Sequence, residues 1–60
     1  MNEPTNTKGE DYLQGWERGI HDEVLQELQG GVVETGTAFA SAGFREGYED
    51  AREEYKHLLE

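Results

Sequence analysis

The chain has no cysteine, so neither a disulfide nor a thiolate metal site can hold it together. Proline occurs once, in the N-terminal segment, and punctuates nothing downstream. Cations are scarce: five lysines and arginines stand against 14 aspartates and glutamates, a formal charge of −9. Such a surface is repelled by phosphate backbones and anionic lipid, which argues against direct nucleic-acid or membrane binding. No apolar run approaches the roughly 20 residues needed to cross a bilayer. The first residues, Met1 to Lys8, contain no apolar stretch of the kind a secretory signal requires, and a cytoplasmic protein is expected.

What is present is a short chain, 60 residues with 33% apolar side chains and eight glycines. A domain of this size buries little surface, and without disulfides it is expected to rely on another chain, its own copy or a different protein. Residues 1–9 lack periodicity and read as a disordered polar tail. From Glu10 onward Tyr12, Leu13, Trp16, Ile20, Val24 and Leu28 recur at steps of three and four, the mark of one helical face. Gly30-Gly31 ends that segment, giving a first helix over about 10–29. Residues of about 30–36 read as a loop, with Val32 or Val33 closing the end of the core and Thr35 or Thr37 as the next N-cap. A second helix is expected over about 37–59, with Ala40, Phe44, Tyr48, Ala51, Tyr55 and Leu58 on one stripe. The expected fold is all-α: a two-helix antiparallel hairpin, completed by dimerisation into a four-helix bundle or by a partner protein.

One block occurs twice. Gly15-Trp16-Glu17-Arg18-Gly19-Ile20-His21-Asp22 matches Gly43-Phe44-Arg45-Glu46-Gly47-Tyr48-Glu49-Asp50 in the order glycine, aromatic, two opposite charges, glycine, large apolar, any residue, aspartate. Two related helices with approximate two-fold symmetry follow from it. A glycine inside a helix costs about 1 kcal/mol relative to alanine, so Gly15, Gly19, Gly43 and Gly47 imply a return. Glycines four apart leave a groove in which a second helix or a ring can lie, as in membrane GxxxG pairs, though the intervening charges place this one in water. These blocks resemble the glycine-repeat helices of adaptor proteins that bridge protein partners, and the GxxxG segments of flagellar export regulators. The resemblance spans about ten residues and implies a protein-binding helical module.

The expected protein interface is therefore the glycine–aromatic face: Tyr12, Gly15, Trp16, Gly19, Ile20, Phe44, Gly47, Tyr48 and Tyr55. Trp and Tyr are frequent binding hot spots, and one hairpin cannot enclose so many rings. Glu46, Glu49, Asp50, Glu53 and Glu54 form an acidic face. It serves solubility, or it imitates the phosphate spacing of a nucleic acid and occupies the basic groove of a nucleic-acid-handling protein, as a phage-type inhibitor would. A third reading pairs Glu17 with His21 and Glu54 with His57 as metal ligands at helical spacing, but glutamate is so common here that either histidine finds one by composition alone. Neither a nucleophile–base pattern nor a phosphate-cradling glycine loop after a strand is found, and no enzymatic role and no cofactor is expected. The leading expectation is a small, acidic, non-enzymatic adaptor or regulator that self-associates and binds a larger protein or one with a basic surface.

Overall fold

The computed structural model describes residues 9–59, so the tail expected over 1–9 lies, apart from Gly9, outside the described residues. Two helices make up the fold, α1 over Glu10–Gln29 and α2 over Ala42–Leu59, packed against each other, and no strand forms among the described residues. α1 starts with Glu10 and Asp11 beside the positive end of the helix dipole. It stops at Gly30, whose left-handed backbone (φ 71°) lets its N–H reach the Gln26 carbonyl at 2.9 Å. Lys56 and His57 occupy the last turn of α2, the end that favours cations.

The second helix begins five residues later than the apolar spacing suggests. Thr37 to Ala40 close a turn instead, with the Ala40 N–H on the Thr37 carbonyl at 3.1 Å. Ser41 is the N-cap: its Oγ accepts the Phe44 N–H at 3.2 Å, and neither Thr35 nor Thr37 takes that role. Val32 is exposed and closes no core, whereas Val33 is half-buried.

The direction of α2 is the main departure from expectation. Advancing along α1, the neighbours also advance along α2. Gly43 approaches Asp11, Phe44 lies against Gly15, Tyr48 and Ala51 meet Gly19, and Arg52 reaches Glu23 and Gln26. The helices run in the same sense, not antiparallel. A parallel pair requires the connection to return from the end of α1 to its beginning, a distance of about 27 Å at 1.5 Å per residue. The seven residues of the expected loop reach at most about 25 Å, whereas residues 30–41 reach about 40 Å when extended. Their extra length is the physical reason the loop consumes residues expected in α2.

The crossing is two-fold symmetric in its contacts, in a register the repeated glycine blocks did not suggest. A side chain on Gly15 would strike the Phe44 carbonyl, and one on Gly47 would strike the Tyr12 carbonyl. The equivalent segments are Tyr12-x-x-Gly15-Trp16-Glu17-x-Gly19 and Phe44-x-x-Gly47-Tyr48-Glu49-x-Ala51, one helical turn away from the glycine-to-glycine match. Around the crossing, Tyr12, Trp16 and Ala51 form the core, and Ile20 and Tyr55 pack onto it. Tyr12 stacks on Trp16 at 6.2 Å, and Tyr55 meets Trp16 edge-on at 6.4 Å.

Candidate functional site

The apolar row expected on the inner side of α1 divides into two. Tyr12 and Trp16 are buried, and the rest of the inner face is supplied by Gly15, Gly19, Asp22 and Glu23. These follow the same three-and-four steps, but with small or charged residues, so a count of apolar side chains does not find them. Leu13 and Ile20 are only half-buried, Val24 is 38% exposed and Leu28 78% exposed. Leu13, Ile20, Val24 and Leu28 therefore form an outer row on α1, beside the core and not inside it. On α2, Leu58 is exposed one turn beyond Tyr55. Phe39, on the connecting segment, is fully exposed.

Of the residues expected to meet another protein, six are buried inside this one chain: Tyr12, Gly15, Trp16, Gly19, Gly47 and Tyr48. Ile20, Phe44 and Tyr55 are half-buried. The close approach anticipated from the glycines is made between α1 and α2. The partner of the groove is the chain's own second helix, which covers Gly15, Gly19 and Gly47.

A buried polar cluster sits where the connection passes the helix pair. Asp22, 1% exposed, accepts three hydrogen bonds on Oδ2: from the Thr35 N–H (2.9 Å), the Thr35 hydroxyl (2.6 Å) and the Tyr48 hydroxyl (2.7 Å). Burial by itself raises a carboxyl pKa. Here the donors Thr35, Tyr48 and His21, with the charge of Arg18, outweigh it and hold Asp22 at about 2. Burial also raises Tyr48, whose hydroxyl donates to that carboxylate. Arg18 Nε donates to the Thr35 hydroxyl at 2.8 Å.

Arg52 occupies the next layer. Its Nε donates to Glu23 Oε1 at 2.7 Å, Nη2 to Gln26 Oε1 at 2.7 Å, and Nη1 to both the Val33 carbonyl (2.6 Å) and the Tyr48 hydroxyl (2.8 Å). Gln26 Oε1 also accepts the Val33 N–H at 3.3 Å. One guanidinium thus joins α1, the connection and α2, a fork geometry that a lysine could not supply. Sequence reasoning missed Asp22, Glu23, Gln26, Thr35 and Arg52 as a group. The available signal was Gly15, Gly19, Asp22 and Gln26 falling on one helical face. The cluster's chemistry is structural: the acceptors of Asp22 are occupied by donors that fix residues 33–35 against the helices.

Compared with family models, with curated proteins and with solved structures, the chain matches none.

The carboxylate–histidine pairs are not brought together as ligand sets. His21 has Asp22 Oδ1 at 3.3 Å, while Glu17 and His21 border a groove with Gln14, Arg18, Thr35 and Phe44. His57 has Glu53 at 3.3 Å in place of Glu54. Among the described residues no three histidine or carboxylate side chains converge as a metal site would need. Glu46, Glu49, Asp50, Glu53 and Glu54 are all exposed on α2, as an acidic face requires. Asp50 also accepts the Tyr12 hydroxyl at 2.7 Å; burial first, then that hydrogen bond, raises Tyr12 to about 12. No described helix is long and apolar enough to cross a membrane.

Proposed function

We propose that this protein is a non-enzymatic protein-binding module, an adaptor or regulator, whose docking surface is the outer row of α1. The observation that carries the reading is the division of the two faces of that helix. The glycine–aromatic face is filled by α2, while Val24 and Leu28 leave apolar surface in water beside half-buried Leu13 and Ile20. A row of four apolar residues over about four turns is the form in which one helix offers itself to another. It needs no self-association of the glycine face, and it keeps the partner role expected from the small core. The test is a Leu28→Asp variant. Leu28 makes little contribution to the fold, so the variant should melt like the parent protein while losing a partner that the parent retains from a lysate of the source organism. Retention of the same partner by the variant would remove α1's outer row from consideration.

The acidic face of α2 favours a second reading, a decoy for a basic nucleic-acid-binding groove. All five of its carboxylates are exposed on one helix, and neighbours three and four apart on a helix lie about 5–6 Å from one another. Charge-driven binding of this kind weakens steeply with salt, because screening acts within about 10 Å at 0.1 M. Reversing Glu49 and Glu53 to lysine separates the two readings: it abolishes decoy binding and leaves docking on α1 unchanged.

A further inference from the structure

We infer that the occupant of α1's outer row is a cationic amphipathic helix of another protein, with an apolar stripe flanked by lysine or arginine. The inference rests on the docking reading above and specifies its ligand. Leu13, Ile20, Val24 and Leu28 lie along α1 at steps of seven, four and four, a line of about 22 Å at 1.5 Å per residue. Glu17 falls within that line, and Glu10 and Glu27 stand beside it, all three exposed. The one arginine of α1, Arg18, borders a groove with Glu17 but is turned towards the connection, where it bonds Thr35 and lies 3.6 Å from Asp22. α1 has no lysine. The apolar row is thus bordered by three carboxylates from α1, and the one arginine of that helix is engaged by Thr35 and Asp22.

Charge decides among the occupants. A second copy of this chain would set the same carboxylate-bordered row against itself, between two molecules that each carry −9. Like charges facing across an interface discriminate against that pairing. An anionic lipid surface meets the same repulsion. A helix with apolar residues at the same steps and lysine or arginine beside them satisfies both features at once: its stripe covers Val24 and Leu28, and its cations reach Glu10, Glu17 and Glu27.

The experiment titrates three synthetic amphipathic helical peptides into the full, isotopically labelled chain. The peptides share one leucine stripe, flanked by lysine, by glutamine or by glutamate. The lysine peptide should bind, shifting the backbone amides of Leu13, Ile20, Val24 and Leu28. Its affinity should fall by about tenfold or more for the Glu17→Lys/Glu27→Lys double variant, as expected for facing charges. Leu28→Asp should abolish binding although it makes the protein more acidic, which charge attraction alone would not do. Equal binding of the glutamine peptide, with no effect of the double variant, overturns the cationic assignment and leaves the docking row standing. Shifts confined to α2, or binding unaffected by Leu28→Asp, overturn the docking row itself. A concentration-dependent dimer in sedimentation that Leu28→Asp dissociates assigns the row to a second copy and also overturns the inference.

Discussion

Gly47 lies directly over the main-chain carbonyl of Tyr12, so near that even a methyl group in its place would have no room. Trp16's main-chain nitrogen closes the same space from the side. Gly15 repeats the relationship with Phe44, and together the two contacts set how closely α1 and α2 cross. Backbone cannot move aside as the end of a flexible side chain can.

The helix glycines should therefore differ in sign when replaced by alanine. Gly47→Ala and Gly15→Ala should destabilise the chain by about 1–3 kcal/mol or more, the usual result of overpacking a tight contact. At Gly43 the added methyl would meet Asp11 Cβ at 3.3 Å and the Tyr12 main-chain nitrogen at 3.6 Å, a far milder contact, and the gain in helix propensity of up to about 1 kcal/mol should prevail. Gly36→Ala is the neutral control, with nothing within 4 Å. Gly9 is unsuitable for that purpose, because its φ of 90° strains any side chain. Urea unfolding of the four variants reads these signs directly.

Asp22 should make the fold acid-sensitive over a particular interval. Its carboxyl titrates at about 2 in the folded chain against 3.8 ordinarily. The stabilisation is complete above the unfolded value and is lost as pH falls through the folded one, between about pH 4 and pH 2. The shift corresponds to about 2 kcal/mol. Asp22→Ala should lose about 3 kcal/mol at neutral pH, since the donors of Thr35 and Tyr48 remain buried without their acceptor. Melting temperatures of the parent and variant along a pH series should converge towards pH 2. A constant difference down to that pH would count against this role for Asp22.

Arg52 should not be replaceable by lysine. Four acceptors on three segments share its guanidinium, and an ammonium cannot span Glu23, Gln26, the Val33 carbonyl and Tyr48 together. Both Arg52→Lys and Arg52→Ala should speed amide exchange in residues 33–35 more than at the glycine crossing. Equal protection of residues 33–35 in the parent and the lysine variant would show that the connection is held without the fork.

Tyr12 should resist ionisation. Burial and the Asp50 carboxylate raise its phenol to about 12, so the stability it contributes is complete below its ordinary value of 10.0 and disappears as pH rises through about 12. Phenolate absorbance should show a late component that is missing in Tyr12→Phe. If Tyr12→Phe leaves the alkaline end of the titration unchanged, the Tyr12–Asp50 contact does not exist in solution.

Local chemistry was legible in the sequence. The bounds of α1 follow from Glu10, the apolar steps and Gly30; the content of α2 follows from its aromatic stripe; and the glycines announce a close helix crossing. These depend on neighbours within a turn or two. The sense of α2 was not legible, because helices crossing at glycines can pack in either direction and the repeated block fits both. Tertiary structure decided it: residues 30–41 are long enough to run back along α1, and Asp22, Thr35, Tyr48 and Arg52 fix them there with hydrogen bonds between residues far apart in the chain. The same choice placed Tyr12 and Trp16 inside and left Val24 and Leu28 outside, although all four belong to one row in the sequence. The row is wider than one neighbouring helix can cover, and only the position of α2 determines which side of it remains in water.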